Sequence, residues 1–312
     1  MRSLGDPGIA LRALGVARLL AAPPLPAQEV SDADLQKRAN AILTLMGFSL
    51  TPDVTTGALA ISDQSTGNPY FRQTSLAGGG RVSRDLALYL EGTLAYGRYD
   101  PTFALGEAPA PISVKWDSLM ATGGVGWDFP IARELVLRPI FNLSLGRVES
   151  EATVNAAQAP SSRQAFEFLN NGRLNAFGRG GSLMLDYERY RPEDEIDAEL
   201  RYSYINLQSF DSSSAVEGHA NAQTLSFWSR YRAPTRYTVL ERPLRYVLEY
   251  AYTTFLGDLE GVLGFEDVHS FGFGLELDSS NYDVYVTRTR LLFRYKIGNN
   301  VTGWALGLAV SF

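Results

Sequence analysis

The sequence of 312 residues contains no cysteine, which excludes disulfide scaffolds and thiolate metal sites. Histidine is almost as scarce: only His219 and His269 occur. His269 and Ser270 are adjacent in an extended segment, so their side chains point to opposite faces and form no nucleophile–base pair. His219 reads as a loop residue with Glu217 nearby and no further support. There is no Gly-x-Ser-x-Gly elbow, phosphate loop or metal-ligand cluster, so no catalytic residue, metal or cofactor is expected and the chain is not read as an enzyme. A basic excess is missing too. The net charge of −6 makes nucleic acid an unsuitable partner. Finally, no window of 18 uncharged apolar residues exists, which excludes a transmembrane helix. Lipid accepts only helices and closed barrels, so this chain enters a membrane as a barrel or not at all.

What is present begins with residues 1–27, which read as a secretory signal peptide. Arg2, Arg12 and Arg18 precede Leu19-Leu20-Ala21-Ala22, and Leu25-Pro26-Ala27 offers a small residue for cleavage. Losing three Arg and one Asp with it takes the net charge from −6 to −8. Residues 28–54 read as a helix and linker. Ser31 caps a helix start, Asp34 answers from the third position and Val30 staples onto Leu35. Ile42, Leu45 and Met46 continue one apolar face. A helix over 31–46 is about 24 Å long, comparable with the ~25 Å apolar band of a membrane barrel. Two placements follow, threaded through a lumen or lying across its periplasmic mouth.

Residues 55–312 alternate. Extended segments are expected near 55–62, 69–77, 84–98, 114–128, 134–148, 180–190, 196–208, 222–233, 243–255, 267–278, 282–297 and 301–312. They number twelve, even, as in single-chain bacterial barrels. Phe271, Phe273, Leu275 and Leu277, for example, oppose Ser270, Gly272, Gly274 and Glu276. A soluble β-sandwich also alternates, but its strands are shorter. Aromatics near segment ends (Tyr96, Tyr99, Trp127, Phe129, Tyr187, Tyr190, Tyr252, Tyr295) suit interface girdles, and short joins alternate with long ones. The joins at 298–300 and after 233 fit that alternation least well. The fold class expected is all-β: a transmembrane antiparallel β-barrel of about twelve strands with a short N-terminal α-helix in or below the lumen.

The last segment places Trp304, Leu306, Leu308, Val310 and Phe312 on one face, opposite Gly303, Ala305, Gly307 and Ala309. It resembles the C-terminal assembly signal of bacterial outer-membrane barrels. The whole of 31–312, through Phe71-Arg-Gln-Thr-Ser75, Tyr89-Leu-Glu-Gly92 and Tyr96-Gly-Arg-Tyr-Asp-Pro101, resembles the solitary outer-membrane autotransporter-like β-barrel family, a translocator barrel without a passenger. The resemblance implies a multi-pass monomer in the bacterial outer membrane. Its implied partners are outer-membrane lipid, lipopolysaccharide and, during biogenesis, the barrel-assembly machinery.

Opposite the apolar face lie Arg230, Arg232, Arg245, Arg288, Arg290, Arg294 and Lys296, with Glu91, Asp186, Glu188, Asp197 and Glu199. Arg201, Glu249 and Glu276 share that face. Either these residues line an anion-favouring pore, or they knit a narrow lumen shut through ion pairs. Glu193-Asp194-Glu195 reads as a solvated turn. In the long join over 149–178, Ser161 to Gln164 forms a second capping box ahead of Phe166, Phe168 and Leu169. That short apolar helix could act as a lid, dock a partner or lipopolysaccharide, or pack on neighbouring loops. Three functions follow: a structural or surface-interaction barrel, a narrow channel, and, more distantly, a lipid hydrolase.

Overall fold

The computed structural model describes residues 40, 43–44, 46–47, 50, 56–63, 71–83, 85–99, 102–103, 112–153, 172–211, 218–261, 265–279, 286–299 and 301–311. The expected signal peptide, the capped start at Ser31, the loop helix near 161–169 and Phe312 lie outside the described residues.

The strands are β1 (Thr56–Asp63), β2 (Phe71–Arg81), β3 (Leu88–Tyr99), β4 (Thr102–Phe103), β5 (Ile112–Trp127), β6 (Phe129–Ala132) and β7 (Leu135–Thr153). They continue as β8 (Arg173–Tyr190), β9 (Glu195–Phe210), β10 (His219–Val239), β11 (Arg242–Gly257), β12 (Asp267–Asp278), β13 (Arg288–Gly298) and β14 (Val301–Ser311). Two are short side pieces: β4 pairs with the start of β5, and β6 pairs with β7 just beyond Asp128. The other twelve form an antiparallel ring in chain order. β5 pairs with β7 across the short piece, and β1 pairs with β14 to close it.

The pattern on that ring is inside out. Large apolar side chains point outward and stay exposed, among them Phe141 (58 %), Phe273 (59 %) and Leu308 (52 %). The buried set instead contains Glu91, Arg138, Asp186, Asp197, Arg201, Arg230, Arg232, Arg245, Glu249, Glu276, Arg290 and Arg294. Water would reverse this arrangement; hydrocarbon around a closed ring explains it. The chain is an outer-membrane β-barrel, and its outer surface is the lipid-facing one. The register of β13 on β14 shows how the wall is made. Tyr295, Phe293 and Leu291 pair with Trp304, Leu306 and Leu308 outside, while Arg294 and Arg290 pair with Ala305 and Ala309 inside. The small residues on the inner face of β14 leave space for the long side chains of β13.

Three joins at one end are tight, 191–194, 240–241 and the β6–β7 turn. The chain starts β1 and finishes β14 at this same end, the periplasmic one. The opposite end carries the joins at 100–111, 154–172, 211–218 and 258–266, and is the external face. Several boundaries differ from expectation. β8 begins at Arg173 rather than 180, and β10 runs to Val239. That extension turns the awkward join after 233 into a two-residue hairpin. β13 begins at Arg288 rather than 282, so the join after β12 is not short.

Candidate functional site: the closed lumen

Residues 40, 43, 44, 46 and 47 have helical backbone, and the Thr44 hydroxyl donates to the Asn40 carbonyl at 2.8 Å, four residues back. Asn40 Oδ1 accepts from the backbone N–H of His219 at 2.9 Å, at the external end of β10. His219 is therefore the first residue of a strand rather than a loop residue. Leu43 and Met46 are fully buried, and Leu50 nearly so. A Cβ added to Gly146 of β7 would overlap Met120 Sδ and Met46 Cε, and one added to Gly47 would stand 2.7 Å from Leu259 and 3.0 Å from Ala222. The segment thus sits inside the ring and descends from the external mouth at Asn40. Of the two placements, the structure supports the lumen.

Below it, the inner wall is polar. Leu50 and Gly47 face Ser182, Arg201, Ser203, Ile205, Ala222 and Thr224 across a void of about 10 Å³, room for roughly one water. Arg201 of β9 grips Glu91 of β3, four strands away around the wall, with Nη1–Oε2 at 2.9 Å and Nη2–Oε1 at 2.6 Å. This is the bidentate geometry that suits a guanidinium. Asn142 donates to Glu91 at 2.8 Å, Ser182 donates to Asn142 at 2.9 Å, and Arg201 donates to Ser182 and Ser203 at 2.9 and 3.1 Å. Gly124 makes this possible: a Cβ there would stand 2.6 Å from both Glu91 and Asn142.

Two further charge clusters lie toward the periplasmic end. In the first, Arg138 bridges Asp128 at 2.5 Å and Asp186 at 2.9 Å and stacks over Tyr89 at 3.9 Å. In the second, Asp197 receives Arg230 at 2.6 Å and Arg232 at 2.9 Å. Glu195 receives Arg232 (2.9 Å), Arg245 (2.7 Å) and Arg288 (2.8 Å). Glu276 receives Arg290 at 3.1 Å, and Arg294 pairs with Glu249 at 2.6 Å. Glu199 stands directly opposite Asp186 and among Arg138, Arg201 and Arg230. Glu188 shares the β8 inner face at its exposed periplasmic end, and Lys296 is half-buried near the external end of β13. All fifteen charged positions read from the sequence as opposite the apolar face therefore lie on the lumenal side.

Some assignments change. Glu195 is buried and holds three arginines, so it is no solvated turn residue. It has the parity of Asp197, Glu199 and Arg201, which extending the alternation by one step would have revealed. Asp128 was likewise missed, although it shares parity with Thr122, Gly124 and Gly126. Two expected girdle aromatics face inward: Tyr99 stacks on buried Trp116 at 5.9 Å, and Tyr190 lies under Arg232 at 5.5 Å. Trp304, Leu306, Leu308 and Val310 are exposed on the lipid face as expected. His269 stays on the outer side, bonded to Tyr250 at 3.0 Å, with Ser270 buried on the inner face.

No family model and no curated protein matches this chain. Among solved structures, it is similar to the translocator domain of the autotransporter NalP from Neisseria meningitidis, at 12% identity over 90% of this chain and 96% of that one, TM-score 0.44. It is also similar to the β domain of the Bordetella autotransporter BrkA, at 14% identity over 83% of this chain and 100% of that one, TM-score 0.48. A third likeness is to the porin KdgM, at 11% identity over 83% and 99%, TM-score 0.38. All three are likenesses of fold alone.

Proposed function

We propose that this protein is a closed, non-enzymatic surface barrel that does not conduct solutes and acts through its external face. The observation that carries this reading is the Glu91–Arg201 clasp across the lumen, directly beneath the buried segment at Leu43, Met46 and Leu50. The lumen is obstructed twice, by an inserted chain above and by bridged charges below. Buried charges already bridged to one another admit a hydrated ion poorly, because separating one pair strands a charge in a poorly solvated site.

Single-channel recording in planar bilayers tests this. The intact protein is expected to be silent. Deleting residues 28–48 removes only the upper obstruction, so steady conductance is expected only when Glu91→Ala and Arg201→Ala are added. Steady conductance of the intact protein would overturn the proposal. It would favour the narrow channel, with the arginines of β10, β11 and β13 as its anion-selecting wall.

A further inference from the structure

The outer surface carries a feature that a closed lumen does not explain. Near the external end, β3, β7 and β8 carry four outward-facing arginines. Arg98 is paired with Asp117 at 2.8 Å, Arg147 with Glu149, and Arg173 with Asp211 at 3.6 Å. Arg179 of β8 is exposed and has no carboxylate partner among the described residues. It is also the deepest of them. On its own strand Leu183, half exposed, follows toward the bilayer, and directly opposite on β7 stands Leu143, within the exposed apolar run Phe141, Leu143 and Leu145. On its external side only Phe177 and the facing Leu145 remain apolar before Asn175 and Arg147. The cation therefore lies just inside the upper edge of the hydrocarbon band, where its cost falls toward about 0–1 kcal/mol and its long side chain reaches up to lipid phosphates as counter-charges.

The side chains beside it are polar and hydrogen-bonded to one another. Asn206 of β9 is directly opposite Arg179, and Asn221 of β10 is opposite Asn206. Asn206 donates to Asn221 at 2.9 Å, Tyr204 donates to Asn221 at 3.0 Å, and Tyr202 donates to Gln223 at 3.1 Å, all on the lipid-facing side. Asp258 accepts from the backbone N–H of Asn221 at 2.7 Å and from its side chain at 3.3 Å. Its charge therefore lies on the β11 side of the row, with Arg179 at the other end. Below the row, exposed Leu183, Leu200 and the rings of Tyr202 and Tyr204 continue into the apolar belt.

We propose that the outer face of β8–β10 is a binding site for a phosphorylated sugar lipid of the outer leaflet. Arg179 holds the phosphate, the amides of Asn206, Asn221 and Gln223 meet sugar hydroxyls, and the acyl chains lie along Leu183 and Leu200. The site faces away from the lumen, so it stands whether or not the barrel conducts. A guanidinium suits a phosphate bidentately, and cross-strand neighbours lie within side-chain reach of one another.

The test uses the full chain in phosphatidylcholine nanodiscs, with retained lipid counted by native mass spectrometry. The probes are bis-phosphorylated lipid A, the same lipid without phosphates, and phosphatidylglycerol as competitor. Wild type is expected to prefer the phosphorylated form by about tenfold or more, the scale of one charged hydrogen-bonded contact. Arg179→Gln is expected to lose that preference, Arg179→Lys to keep part of it, and Arg236→Gln at the opposite end to leave it unchanged. Unaltered heat-dependent electrophoretic migration verifies that each variant is folded. Equal binding by wild type and Arg179→Gln, equal binding of the dephosphorylated lipid, or full displacement by phosphatidylglycerol would each overturn the assignment.

Discussion

Single residues set the energetics of this lumen. Glu195 is the clearest case, since one carboxylate serves Arg232, Arg245 and Arg288. Glu195→Gln is expected to lower the barrel's urea unfolding free energy by about 3–5 kcal/mol, because the buried Arg232 and Arg245 and the half-buried Arg288 lose one shared partner. The Glu91–Arg201 pair is best read by a double-mutant cycle. Each single alanine variant should destabilise strongly, and the double variant should cost less than their sum, leaving a coupling of about 0.5–3 kcal/mol. Additive effects would show that the clasp carries no mutual stabilisation. At the periplasmic tip of β10–β11, Leu240 and Glu241 have φ of 52° and 63°, the left-handed pair of a type I′ hairpin usually given to Asn-Gly. Glu241→Gly should therefore stabilise by about 1 kcal/mol, read as a higher denaturant midpoint. Most inward residues were legible from alternation alone. Glu195 was hidden by its acidic neighbours Glu193 and Asp194, which made a strand's first residue look like part of a polar turn.

Elements were legible where one face is uniformly apolar. β12 and β14 match expectation almost to the residue because Phe271 to Leu277 and Trp304 to Val310 alternate without interruption. The start of β8 was missed because three of its first four outward positions, Arg173, Asn175 and Arg179, are polar where the pattern demands apolar ones, with Phe177 the exception. The end of β10 was missed because Pro234 precedes a bulge that shifts the register before Thr238. For the buried N-terminal segment the sequence offered two placements, in the lumen or across its mouth, and did not decide between them, because part of its seat is made by Gly146 on a distant strand. Gly146→Leu should fill the space now occupied by Met46 and drive the segment from its seat. An Asn40→Cys variant of this cysteine-free chain measures that directly. A membrane-impermeant maleimide should label it from outside intact cells, and faster with Gly146→Leu present. Labelling only after the envelope is permeabilised would reverse the segment's direction.

The whole molecule combines an apolar exterior with a bridged interior, and the two should respond differently to substitution. Leu306→Arg, near the middle of the lipid face of β14, should cost about 2–4 kcal/mol, whereas Thr302→Arg near its external end should cost about 0–1 kcal/mol. Unfolding midpoints in the same lipid give the comparison, and equal costs would mean that the lipid belt is misplaced along this strand. The wall is tall where β10 has 21 residues and β11 has 16. At about 3.3 Å per residue and a tilt near 40°, sixteen residues rise about 40 Å, more than the ~25 Å band of such barrels. On this side the protein overtops its bilayer like a parapet, and the surplus length keeps the exposed hairpin at Leu240 and Glu241 in water.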